Sequence, residues 1–277
     1  MARSPHRYVF STKSNEKVLA KGKGSREKST VASVVLSVPL LSQPRSHLQQ
    51  IFMELSFVRH LPPADPDQLR SRMVLLSRPP STQPRKTLIF DLDETLVHCV
   101  PDITQAQVLI PVRFPSGETL KAGVNVRPFA RECLQEANKT FEVMVFTASH
   151  QCYADRVLDY LDPTGLLIHH RLYRDSCLPS QGLYIKDLRV LANRRLQDVV
   201  IVDNAAYSFA HQLDNGVPIV SWFEDQEDRE LWHLMKYLGV LAAAEDVRQI
   251  NRATFRLQSF CEDYKKEFGE DKENATS

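Results

Sequence analysis

Paired cysteines, long apolar runs and net charge are all scarce in this chain of 277 residues. The five cysteines, Cys99, Cys133, Cys152, Cys177 and Cys261, are odd in number and widely spaced, with no CxxC pair. That pattern excludes a disulfide framework and a cysteine zinc site, and it points to a reducing, intracellular compartment. The longest apolar run near the N-terminus, VASVVLSVPLL (31–41), holds two serines and a proline and is too short to cross a bilayer. It also lies behind a polar segment, where a secretory signal does not belong. No membrane span is expected. The formal net charge is only +1, so composition names neither a nucleic acid nor a membrane as partner.

The balance hides an asymmetry. Residues 1–86 carry 15 Lys or Arg against 5 Asp or Glu, whereas residues 87–277 carry 20 against 29. Residues 1–30 are basic, serine-rich and without periodicity, and half of the 16 prolines fall between Pro39 and Pro84. Residues 1–85 therefore read as a disordered arm and extended linker. A basic arm on an acidic body serves nucleic-acid, partner or intramolecular docking, or is a solvated tail. No direct nucleic-acid partner is expected of the protein, and the Lys and Arg content of residues 1–30 leans toward a nuclear rather than a cytoplasmic location. Within the linker, QQIFMELSFV (49–58) offers Ile51, Phe52, Leu55 and Val58 at helical spacing, the pattern of a short docking helix.

The texture changes at Lys86, and residues 86–260 read as one domain followed by a charged tail, 261–277. KTLIF is a buried strand, and residues 108–126 alternate around a Pro-Ser-Gly turn, as in a hairpin. A helix follows with Phe129, Cys133, Leu134 and Ala137 on one face, then the strand FEVMVF (141–146). A second helix turns Ala154, Val157, Leu158 and Leu161 inward. Two more apolar strands, DVVIVD (198–203) and VPIVSWF (217–223), precede one or two amphipathic helices over 227–255. Strands alternating with helices predict an α/β fold, a parallel sheet with helices on both faces, carrying a small β-hairpin insertion and no large cap domain.

Parallel sheets bind ligands beyond the carboxyl ends of their strands. Asp91, Asp93 and Thr95 follow the first strand in TLIFDLDETLVHC (87–99). Thr147 follows FEVMVF, Asp203 and Asn204 close DVVIVD, and Lys186 lies in LYIKDL just before it. Acidic clustering at the end of a buried strand is costly unless a cation sits among the carboxylates. Oxygen ligands suit a hard ion such as Mg²⁺, with a phosphate ester completing the electrostatics. One carboxylate can then attack phosphorus while a second, two residues along, serves as acid and later as base. By itself DLDET also suits a turn or a helix N-cap.

The motifs IFDLDETLVHC, VRPFARECL, VMVFTAS, YADRVLDYLDP, YRDSC, YIKDL and VVIVDNAAYSFAHQLDNGVPIVSWF together resemble the small C-terminal-domain phosphatases of the haloacid-dehalogenase superfamily. The resemblance covers about residues 86–255. It implies that Asp91 is the nucleophile and Asp93 the general acid/base. It further implies that Thr147, Lys186 and Thr95 hold the phosphoryl group. Asp91, Asp203 and the Asp93 backbone carbonyl would ligate Mg²⁺, with Asn204 alongside. The implied substrates are phosphoserine or phosphothreonine in proteins, the family's substrates including the heptad-repeat tail of RNA polymerase II.

No cysteine is followed six positions later by arginine, so a cysteine-based phosphatase loop is absent. His98, His150, His169, His170 and His211 show no metal-ligand spacing. The gaps from Asp93 to Thr147 and from Thr147 to Lys186 leave no room for a full capping domain, which favours a macromolecular substrate. Two alternatives stay open: a phosphatase of small molecules, and a non-catalytic binding module of the same fold.

Overall fold

The computed structural model describes residues 43–77 and 85–268. Its centre is a five-stranded parallel sheet. β1 (Lys86–Phe90) lies between β5 (Phe141–Phe146) and β9 (Val199–Asp203), with β6 (His170–Leu172) outside β5 and β10 (Gly216–Pro218) outside β9. The apolar runs of β1, β5 and β9 are buried on both sides, and their period of two divides the core. Leu88, Phe90, Val143, Val145, Val200 and Val202 face one cluster, with α3 (Ala130–Asn138), α4 (Gln151–Leu161) and α5 (Glu230–Ala243). Ile89, Met144, Phe146, Val199 and Ile201 face the other. Each fully buried Leu, Ile or Phe is worth about 1.5–3 kcal/mol, so this doubled burial makes the three strands the firmest part of the molecule. Helices cover both faces, as expected.

After β1 the chain continues toward β5 on one side, and it later returns to β9 on the other. The strand order therefore reverses between β1 and β9, which opens a crevice at their carboxyl ends. The expected hairpin forms as β3 (Val108–Arg113) with β4 (Thr119–Val126), extended to three strands by β2 (Val97–Val100). A second, unforeseen hairpin pairs β7 (Leu178–Ser180) with β8 (Leu183–Ile185). Its two-residue turn has φ of 49° at Gln181 and 82° at Gly182, the left-handed pair that tight hairpins use. This turn delivers Lys186 to the crevice. Among the described residues no helix is long and apolar enough to cross a membrane.

Three expectations need correction. The apolar segment 217–223 pairs with β9 only over Gly216–Pro218, the last bond being that of the Ile219 N–H to Asp203 O at 3.1 Å. Beyond it, Trp222 donates its backbone N–H to Glu94 O at 2.8 Å, so the remainder packs over the β1 loop. The extended-linker reading fails for residues 43–77, although the docking helix expected at 49–58 does form, as part of a longer one. There α1 (Arg45–Val58) buries His47, Leu48, Ile51 and Leu55 against the second core cluster, and α2 (Pro66–Ser71) is capped by Asp65. Val74 bridges to Leu191. The tail reading fails for α7 (Phe260–Phe268), whose Tyr264 ring stacks on Phe52 at 4.6 Å. The disorder expected of residues 1–42, and the rest of the charged tail, lie outside the described residues. The helices expected over 227–255 are two, α5 and α6 (Val247–Phe255).

Candidate active site

The loop after β1 keeps the strand's alternation for three residues, so Asp91 and Asp93 face the crevice while Leu92 between them is fully buried. Glu94 then adopts φ of 56°, a strained setting for a residue with a Cβ, held by the bonds of its N–H to Val97 O and of its carbonyl from Trp222. The crevice is a cleft of about 590 Å³, within the usual size of a ligand site. It is walled by the ends of β1, β5 and β9, the first turn of α4, Cys99 of β2, Arg174 and the β7–β8 hairpin. Among the described residues no separate domain contributes to its walls.

Lys186 binds the floor together. Its ammonium donates to Asp91 Oδ1 and, at 2.7 Å, to Asp203 Oδ2, and all three side chains are almost fully buried. Asp203 is further oriented by the Ser208 hydroxyl at 2.5 Å and the Ala205 N–H at 2.8 Å. Burial alone would discharge Lys186, but the carboxylates of Asp203 and Asp91 outweigh it and raise its pKa. Asp91 is pushed up to about 7 by burial, with Lys186 opposing and Asp203 reinforcing the rise. One ammonium shared by two buried carboxylates leaves one negative charge without an offset.

Asp93 lies apart from this trio. Its carboxylate accepts from Ser149 Oγ at 2.6 Å and from the Tyr153 hydroxyl at 2.8 Å, on the α4 side of the cleft. The three side chains thus do not converge on one point, and among the described residues no group of three or more His, Cys, Asp or Glu forms a metal cage. The carboxylate repulsion implied by the sequence is relieved by Lys186 on one side and by two hydroxyl donors on the other. Thr147, nearly fully buried, lines the cleft and accepts the Ser149 N–H at 2.9 Å. Thr95 does not line it. Its hydroxyl points at Asn204 Oδ1, 3.4 Å away, and its carbonyl accepts from the buried Arg127. Asn204 lines the cleft and donates to Ser221 Oγ at 2.9 Å.

Residues 86–248 match the family model described as NLI interacting factor-like phosphatase. The chain belongs to this family. Three curated relatives carry similar names. CTD small phosphatase-like protein 2 of Dictyostelium discoideum is 46% identical over 64% of this chain and 31% of its own length. CTD small phosphatase-like protein 3 of Caenorhabditis elegans is 42% identical over 74% of this chain and 71% of its own. The Homo sapiens carboxy-terminal domain RNA polymerase II polypeptide A small phosphatase 2 is 41% identical over 60% of each. The chain therefore spans less than two thirds of the length of two of these three relatives.

In the phosphatase fold of this chain, the elements assemble six of the seven residues singled out in the sequence, Asp91, Asp93, Thr147, Lys186, Asp203 and Asn204, around the cleft, with Thr95 the exception. Sequence reasoning missed Tyr153, Ser208 and Arg174, and it gave Ser149 no role. Arg174 stands at the rim with its guanidinium 5.1 Å above the Tyr184 ring and its Nε bonded to Ala148 O. Ser149 precedes the extended N-cap His150 and Tyr153 lies in the first turn of α4, so no helical spacing relates them; their common target, Asp93, lies 56 residues before Ser149.

Proposed function

We propose that the cleft hydrolyses phosphoserine or phosphothreonine esters in proteins, in two steps, through an aspartyl-phosphate on Asp91. The observation that carries this reading is the Asp91–Lys186–Asp203 trio, two carboxylates at the ends of adjacent strands held by one fixed ammonium. The donor set fits Mg²⁺: two buried carboxylates and backbone carbonyls are hard oxygen ligands, and the trio is one positive charge short. Asp91, Asp203 and the Asp93 carbonyl would hold the ion, which when bound supplies positive charge against the phosphoryl oxygens.

The chain's own residues do the rest. Asp91 attacks phosphorus while Lys186 and the Thr147 hydroxyl hold the transferred oxygens. Asp93 gives its proton to the departing serine or threonine oxygen, then takes one from the water that cleaves the acyl phosphate. Ser149 and Tyr153 aim its carboxyl throughout. Phosphate leaves, and Asp91 returns unmodified.

A protein ester suits the site because short elements wall the cleft and, among the described residues, no domain closes over it. The names of the relatives make phosphorylated RNA polymerase II tail peptides the natural first substrate. The test is release of phosphate from phosphoserine peptides, with and without Mg²⁺, beside sugar phosphates and nucleotides at equal concentration. Preference for the metabolites would assign small-molecule substrates. No turnover, with retained peptide binding, would make the domain a binding module.

A further inference from the structure

The loop that carries Asp203 is gripped from outside the family domain. α1 precedes residue 86, yet two of its side chains, one turn apart on one face, reach the turn after β9. Glu54 Oε2 accepts the Ala206 N–H at 2.6 Å, and Gln50 Nε2 donates to the Asn204 carbonyl at 3.2 Å. Gln50 also donates to Glu54 Oε1 at 2.9 Å and accepts from Ser221 Oγ at 3.5 Å. Ser221 in turn receives the Asn204 side chain. The Ala206 N–H is one of the unpaired donors that open the 3₁₀ run Ala206–Asn215, and that run supplies Ser208 to Asp203. A Glu54 carboxyl oxygen placed there satisfies that donor.

We propose that α1 is a positioning element for the cleft, with Glu54 and Gln50 fixing the Asp203–Ser208 turn so that Asp203 faces Lys186 and the ion. This deepens the phosphatase reading and rests on it. The packing of α1 through Leu48, Ile51 and Leu55 explains why it stays docked. It does not explain why polar side chains meet the backbone of this one turn. Neither residue touches substrate or the reacting atoms; both act through the turn.

The experiment uses the full chain carrying Glu54→Ala, Glu54→Gln or Gln50→Ala. Met53→Ala, on the exposed face of α1, is the control. Glu54→Ala should lower kcat on a phosphoserine peptide by about tenfold and raise the Mg²⁺ needed for half-activation by a similar factor, the usual cost of losing an outer support. KM for the peptide should change little. Glu54→Gln, which keeps an oxygen acceptor for Ala206, should recover most of the loss. Independently of turnover, hydrogen exchange at the Ala206 amide should quicken in Glu54→Ala, and added Mg²⁺ alone should protect 203–208 less than in the unsubstituted chain. Unchanged kcat, Mg²⁺ requirement and exchange would overturn the proposal. So would equal losses in Glu54→Ala and Glu54→Gln that track only thermal stability. If the unsubstituted chain is inactive on every phosphoester, the phosphatase reading fails, while the exchange measurement still decides the role of α1.

Discussion

Lys186 Nζ lies 2.7 Å from Asp203 Oδ2 and donates at the same time to Asp91, so one ammonium joins the ends of two adjacent strands. Removing it strands two buried carboxylates, and breaking a buried pair typically costs about 3–5 kcal/mol. Lys186→Met should abolish turnover and lower stability at neutral pH. Without the ammonium, burial holds the folded-state pKa of Asp91 further above its unfolded value, and such an acid destabilises most when ionised. The deficit should therefore shrink as pH falls. Urea unfolding at neutral and mildly acidic pH checks this; a deficit independent of pH would contradict it.

Asp93 is held by two hydroxyls, and the two bonds separate orientation from chemistry. Asp93→Asn removes the proton carrier and should lower kcat about 10²–10⁴-fold. Tyr153→Phe leaves the carboxyl and the Ser149 bond in place, so its loss should be far smaller, with KM nearly unchanged. Steady-state kinetics on one phosphopeptide would show the ranking. A Tyr153→Phe defect as large as that of Asp93→Asn would mean that the tyrosine takes part in the proton transfer itself.

At the opposite end of the sheet Glu142 is buried against Arg194, His170 and Thr87. Burial would raise its pKa, but the bonds from Arg194, His170 and Thr87 outweigh it and hold the carboxyl down to about 2. A depressed carboxylate adds stability above its unfolded pKa and loses it as pH falls toward the folded one. Its contribution therefore fades between about 4.5 and about 2. Arg194→Ala should be less stable than the unsubstituted chain at neutral pH, and the gap should narrow on acidification. Denaturation midpoints across that range provide the check.

Two glycines should respond oppositely to alanine. A Cβ on Gly216 would stand 2.0 Å from the fully buried Phe209 ring, so Gly216→Ala should cost about 1–3 kcal/mol by overpacking. Gly239 lies within α5 with nothing inside 4 Å of its added Cβ, and alanine there should gain about 0.5–1 kcal/mol. Thermal melts of both variants decide the matter.

The parts of this molecule legible in its sequence are those with a local cause. KTLIF, FEVMVF and VVIVD announce buried strands, and the rule that ligands gather beyond strand ends picks out Asp91, Thr147 and Asp203. Lys186 needed the family resemblance, because nothing local separates a buried lysine from a surface one. The prolines of residues 39–84 misled for a physical reason. Pro44 and Pro66 stand at the starts of α1 and α2, where the missing N–H costs nothing, so they begin helices instead of marking a linker. The three-residue strands β6, β7 and β8 are too short to show a period. The contacts of Gln50 and Glu54 with the Asp203 turn, and of Tyr153 with Asp93, join distant segments and depend on how the helices dock.

Formation of a covalent phosphoryl group on Asp91 is the central claim, and intact-mass analysis tests it most directly. Asp93→Asn, mixed with Mg²⁺ and an aryl phosphate, whose phenolate departs without a proton donor, and then quenched in acid, should carry one phosphoryl adduct that maps to Asp91. Asp91→Asn treated identically should carry none. An adduct elsewhere, or turnover by Asp91→Asn at the unsubstituted rate, would contradict the account.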